Sequence, residues 1–183
     1  LAAPCRAPVP YIVPAMGSTP GANPVAQVEA FARLGITAES IGAPIEAAME
    51  VVEIGRIPGG PALYRGMDSH KAQHTLLISR IKPHTDFRGK LESGPAKMAV
   101  IGLGKQTGAQ AMHVGGTASF QAYLAPAATI FAQRSNLLGA LCPVACGTVT
   151  QTPSIIDNDS PIVSPLLHLR SIDILATCMA RRA

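Results

Sequence analysis

Thr75-Leu76-Leu77-Ile78-Ser79-Arg80-Ile81 runs straight into Lys82-Pro83-His84-Thr85-Asp86-Phe87-Arg88-Gly89. The first seven residues form a short apolar run with branched side chains, the pattern of a buried strand. The next eight are polar and carry proline and glycine, so they read as a loop. In α/β folds the loops at the carboxyl ends of strands form the ligand crevice. The strand therefore sets the fold class, and the loop is the first place to look for chemistry.

The same alternation extends in both directions. Upstream, Tyr11-Ile12-Val13 is a β-type run that ends in the turn-rich stretch Pro14 to Gly21. Asn23 suits an N-cap, Pro24 a first helical residue, and Gly35 the position just past a helix. Val25, Val28, Phe31 and Ala32 give the helical stripe between them. Residues 36–49 predict a short capped turn or helix, Met49 to Ile54 a second β-like run, and Ala62-Leu63-Tyr64 a short strand. Met67 to His74 is polar and predicts a surface helix. Downstream, Met98 to Ile101 fits a buried strand or a buried helix, and Ser93 as N-cap with Gly94 and Pro95 in the first turn favours a helix through Leu103. Gly108 to His113 and Phe120 to Ala132 predict two more helices, the latter despite Pro126, and Ile172 to Ala176 a last strand. Strand, loop and helix alternate throughout, so the expected class is α/β.

The 183 residues suit a single domain or slightly more, with 48% apolar residues to fill a core. Charged residues make up 14%, against about 25% in typical soluble domains, which excludes disorder. Aromatic residues are 4% with no Trp, a poor basis for nucleic-acid stacking. The net charge of +4 is scattered, and its densest stretch, Arg80 to Lys105, is interleaved with Asp86 and Glu92. A duplex-binding stripe is more one-sided, so an anionic small molecule is the better partner. No run reaches the roughly 18 apolar residues of a membrane span, and the first residues lack a signal peptide's pattern. The four cysteines are widely spaced, and Cys142 and Cys146 are not C-x-x-C. Free thiols in a cytoplasmic chain are the expectation.

Four constellations are candidates for chemistry. His84 follows the strand beside Asp86 and Arg88. An imidazole there can act as a base near neutral pH, with a carboxylate fixing its tautomer. The alternative is a solvated loop histidine. Lys97 falls in the first turn of the expected helix, among Ala96, Met98 and Ala99. The positive helix end and the apolar neighbours both favour a neutral, nucleophilic amine that can bond a carbonyl carbon. The alternative is a surface lysine. Gly102-x-Gly104 with Gly108 has the wrong spacing for the dinucleotide fingerprint. It could still let backbone amides approach a phosphate, and helix-packing glycines are its plainer account. His70 and His74 are spaced i, i+4 but lack the glutamate of a metalloprotease helix.

The stretch Arg80 to Gly89, then Glu92-Ser93-Gly94, Lys97-Met98, Ile101 to Lys105, Gly108-Ala109 and His113, resembles the catalytic N-terminal domain of the nickel-dependent lactate racemase family. The closer likeness is to a racemase-like sister branch. Val13 to Ser18 and Gly42-Ala43-Pro44-Ile45 belong to the same pattern, and the likeness runs from about residue 8 to 145. It implies a Rossmann-like sheet with flanking helices over residues 1–145 and a divergent or vestigial tail over 146–183. It further implies a domain that is incomplete at its start and lacks the family's second domain. The implied activity is isomerase chemistry, a racemase or epimerase moving hydride at the 2-carbon of a 2-hydroxy acid. The implied cofactor is a pyridinium-derived nickel-pincer nucleotide tethered to a lysine.

Residue by residue, Lys97 resembles the tethering lysine and His113, 16 positions on, the nickel ligand. His84 resembles one of two acid/base histidines. The second would fall in the Met16-Gly17-Ser18 loop, where this chain has Thr19. A threonine is no base near neutral pH, which puts two-face racemisation in doubt and leaves one-face hydride transfer open. Thr19, Asp86 and Arg88 are expected to line the crevice. The competing readings are a non-catalytic nucleotide- or hydroxy-acid-binding relative and a truncated, inactive product. No nucleic-acid or membrane partner is expected, and an incomplete sheet edge would invite formation of a homo-oligomer.

Overall fold

A computed structural model describes residues 9–79, 81, 91, 93–142 and, as backbone, 176–181. His84, Asp86, Arg88 and the 145/146 boundary lie outside the described residues. The chain is a mixed helix-and-strand fold with two small sheets. A four-stranded sheet has the order β1, β6, β4, β5. Its strands are β1 (Val9–Pro14), β4 (His74–Ile78), β5 (Leu137–Leu141) and β6 (Ala176–Arg181). The second sheet is a hairpin of β2 (Val51–Arg56) and β3 (Ala62–Gly66), with a bulge between Glu53 and Gly55.

β6 is antiparallel to both β1 and β4, and β5 is parallel to β4. β1, β4 and β5 therefore share one direction, and their carboxyl ends lie at one edge of the sheet. The sheet is mixed because β6, from the tail, lies reversed between β1 and β4. The sequence places the last strand at 172–176; the described strand occupies Ala176–Arg181, and residues 172–175 fall outside the description. Its register, Val9↔Arg181 through Pro14↔Ala176, gives β1 a full ladder.

Alternation along the strands divides the core in two. Tyr11, Val13 and Leu77 pack with Ala99, Leu103, Met112, Phe120, Leu124 and Phe131 on one side. Ile12, Ile78 and Leu141 pack with Phe31, Ile36 and Ile41 on the other. Helices thus cover both sides of the sheet. α1 (Pro24–Arg33) and α2 (Ala38–Ile41) lie on the second side, and α6 (Gly116–Gln133) on the first. Among the described residues, no helix is long and apolar enough to cross a membrane.

Local chemistry explains the element ends. Asn23 Oδ1 accepts from the backbone of Val25 at 2.9 Å and Ala26 at 3.4 Å, capping α1. Asn23→Ala is expected to cost about 1 kcal/mol, or roughly 3 °C in melting temperature for a chain of this size. Urea unfolding read by circular dichroism checks it; an unchanged midpoint would show that the cap contributes nothing. α2 begins with a capping box in which Thr37 and Ser40 exchange side-chain and backbone bonds.

The stretch expected as a surface helix is instead the single turn α3 (Met67–His70), with Asp68 and Ser69 buried. The reason is tertiary. Arg65, itself buried, donates from Nε to Ser69 Oγ at 3.0 Å, and from Nη2 to Ser69 O at 2.8 Å and Thr75 Oγ1 at 2.7 Å. Its guanidinium also lies 5.9 Å from the Phe131 ring centre. Burial pulls the Arg65 pKa down to about 10, opposed by its attraction to Tyr11 and Asp68. A buried cation is retained because these partners satisfy its donors. They also tie β3, α3 and β4 together. His70 ends α3 and His74 opens β4, so the two imidazoles do not share a helix face.

Candidate functional site

The helical run expected from Ser93 begins at Gly94 instead. α4 (Pro95–Lys97) passes directly into a π turn over Met98–Gly102. Its wide bond joins the Leu103 amide to the Met98 carbonyl at 2.9 Å. Such turns are rare and often mark functional sites. α5 (Lys105–His113) follows.

A cleft of about 430 Å³ opens beside this turn. It is lined by Ala15, Met16, Ser18 and Thr19 from the loop after β1, and by Lys97, Met98, Ile101 and Gly102 from α4 and the π turn. Ala109, Gln110 and His113 of α5 complete the wall. The volume suits a small ligand or cofactor. The loop after β1 sits at the carboxyl edge of the parallel strands, where α/β folds bind ligands. Lys97, His113 and Thr19, singled out in the sequence, share this one cleft. Among its described lining residues there is no carboxylate, so the cleft favours anions.

Phe120 contacts both Lys97 and His113. Its ring centre lies 5.6 Å from Lys97 Nζ and 5.4 Å from the centre of the His113 ring, which is tilted by 41°. Lys97 is half-buried, while Phe120 is 2% exposed. Both groups thus touch the same buried ring. Phe120 carries no signal in the sequence that would link it to the site; α6 brings it there.

His113 Nδ1 lies 2.6 Å from the Ala109 carbonyl oxygen, one helical turn back. A carbonyl only accepts, so Nδ1 carries the hydrogen. In the neutral ring the lone pair is then on Nε2, which is how ligating histidines are commonly oriented. The loop opposite is held from behind by Gln27, which is fully buried. Its Nε2 donates to the Gly17 carbonyl at 3.3 Å and to the Thr19 carbonyl at 3.1 Å. Gly102 permits close approach of the two walls: a Cβ there would sit 2.5 Å from the Ala15 carbonyl oxygen. This is a packing glycine, the plainer of its two readings.

Among the described residues no group of three or more His, Cys, Asp or Glu side chains is placed to hold a metal ion. The nitrogen bases in the described cleft lining are one imidazole, His113, and one amine, Lys97, beside the neutral side chains of Ser18, Thr19 and Gln110. That set fits a metal arriving with ligands on an organic group: the imidazole adds one bond to the metal, and the amine attaches the organic part. Cys142 is half-buried, and burial pushes its thiol pKa up, so it is a poor thiolate ligand at neutral pH. Comparison of the chain with protein-family models, with curated proteins and with solved structures found no match.

Proposed function

We propose that this chain is a racemase- or epimerase-like domain acting at the 2-carbon of a 2-hydroxy acid, with a lysine-tethered nickel-pincer nucleotide as cofactor. The observation that carries this reading is the shared cleft of Lys97 and His113, backed by one buried phenyl ring. A Rossmann-like origin of the sheet belongs to the same proposal, supported by the common direction of β1, β4 and β5. When bound, the nucleotide supplies a metal-activated pyridinium ring that accepts and returns hydride.

Lys97 would attach the cofactor through its amine, and the apolar walls of Met98 and Ile101 would exclude water from it. His113 would ligate nickel through Nε2, a borderline donor suited to that ion. Its bond to the Ala109 carbonyl holds the ring in place. His84, which lies outside the described residues, would exchange a proton with the substrate hydroxyl. The net positive lining would hold the substrate carboxylate.

Thr19 favours a second reading. Its side chain stands in the cleft wall where a second base would be needed, and a hydroxyl does not take that role near neutral pH. A relative that binds a nucleotide or hydroxy acid without turning it over would look the same at this position.

His113→Ala separates tether from ligand. The variant is expected to keep a covalent adduct in its intact mass and to lose nickel at least tenfold more readily on dialysis, in line with the roughly 10–100-fold cost of disturbing a metal's supporting residues. Nickel content by plasma mass spectrometry reads it. Unchanged nickel retention would remove His113 from the metal's coordination.

A further inference from the structure

Lys105 and Asp68 form an ion pair that the proposed chemistry does not use. Lys105 is 0% exposed, and its Nζ lies 2.9 Å from Asp68 Oδ2, whose side chain is 3% exposed. Lys105 is also the first residue of α5 and has φ of 54°, a region that side chains other than glycine rarely enter. Such backbone strain persists only where the surroundings hold it, and it concentrates at functional sites. Gly66 leaves room for the pair: a Cβ there would sit 2.6 Å from Asp68 Oδ1 and 2.7 Å from Lys105 Cε.

Asp68 is fully engaged. Its Oδ1 accepts from the Ser69 amide at 2.7 Å, its Oδ2 from the Ala48 amide at 3.3 Å, and its carbonyl from the Tyr11 hydroxyl at 2.7 Å. A buried ion pair is weak evidence of stabilisation, since desolvating both charges offsets much of their attraction. The second contact of Lys105 points elsewhere. Lys105 Nζ donates to the Pro14 carbonyl at 3.1 Å, at the last residue of β1. The next residues form the cleft wall. Ala15 packs its carbonyl on Gly102, and the Gly17 amide donates to the Gly102 carbonyl at 3.2 Å.

From this geometry we infer that Lys105 is a positioning residue, anchored by Asp68, that holds the end of β1 and with it the Ala15–Thr19 wall against the π turn following Lys97. The inference rests on the reading of this cleft as a site. Three contacts in sequence fix the wall: Lys105 on Pro14, Gly102 under Ala15, and the Gly102 carbonyl on Gly17. The charge pair is the part that an apolar replacement cannot supply, because only a donor can hold the Pro14 carbonyl. The wall carries Thr19, so its placement sets the distance from that side chain to Lys97.

Amide hydrogen exchange on the chain without cofactor tests this independently of the racemase reading. Asp68→Asn keeps the Lys105 Nζ as donor to Pro14, whereas Lys105→Met with Asp68→Asn removes that donor and the bond. In the double variant the Gly17 amide is expected to exchange about tenfold faster than in Asp68→Asn, with the amides of Leu77 and Leu124 alike in the two proteins. Equal exchange at Gly17 would overturn the proposal. Uniform acceleration at all three amides would also overturn it, because the pair would then serve stability alone. If the double variant lacks a cooperative melt, Lys105→Leu on the Asp68→Asn background, which also lacks a donor, is compared by the same criteria. Nickel or adduct loss in Lys97 variants has no bearing on either outcome.

Discussion

Lys97→Ala is expected to abolish both the covalent adduct and stoichiometric nickel. One imidazole does not hold the metal alone, and no other cluster of protein ligands stands among the described residues. The tether therefore decides whether any nickel remains. The loss would not be an unfolding effect. Lys97 is half-buried at the cleft wall, and the contact that its Nζ makes with the Phe120 ring is worth about 0.5–1 kcal/mol at an exposed site. Melting temperature should fall by only a few degrees, as roughly 2–4 °C per kcal/mol applies to chains of this length. Stoichiometric nickel retained by Lys97→Ala after dialysis would show that the metal is held in another way.

The second large effect concerns the opposite wall. Thr19→His, in cofactor-loaded protein, is expected to raise racemisation of a 2-hydroxy acid by about 10²–10⁴-fold, the usual contribution of one positioned base. The backbone at this position is already fixed, because Gln27 holds the Thr19 carbonyl from behind. The new imidazole would enter the cleft shared by Lys97 and His113. Racemisation is read by chiral chromatography of substrate and product. A loaded Thr19→His protein that stays inert on every 2-hydroxy acid tried would favour the non-catalytic, ligand-binding reading.

Much of the fold is legible in the chain because local chemistry and tertiary need agree there. Asn23, Pro24 and Gly35 frame α1, and their roles are set within a few residues of sequence. The β-type runs at 11–13 and 75–78 are legible as short apolar runs with branched side chains; which residues face which core, Tyr11, Val13 and Leu77 against Ile12 and Ile78, is set only once the strands form. β5 is different. Leu137–Leu141 has no β-branched residue and contains Gly139, so nothing local marks it as a strand. It exists because the edge of β4 offers a parallel ladder. The polarity of Met67 to His74 misleads for a related reason. Asp68 and Ser69 are buried because Lys105 and Arg65, remote or on another element, complete them, and no periodicity records such a partner.

The site divides the same way. Lys97 is visible from its place in the first helical turn and its apolar neighbours, whereas His113 and Thr19 stand out only through the resemblance to the racemase family. Their common backing is not visible: Phe120 lies on α6, where an Ala-rich pattern reports burial and nothing more. The π turn is equally silent, since Met98 to Gly102 reads as an ordinary apolar helix. Lys105 reads as one more basic residue in a charged stretch, yet it is wholly buried. Burial of a charge depends on the carboxylate that meets it, 37 residues earlier in the chain at Asp68.

The most direct measurement is the intact mass of the wild-type chain, co-produced with the enzymes that make the pincer nucleotide and followed by peptide mapping. The account predicts a stoichiometric mass increase confined to the peptide that contains Lys97, with nickel in the same proportion. An unmodified chain mass, or an adduct mapping to any other residue, would contradict it.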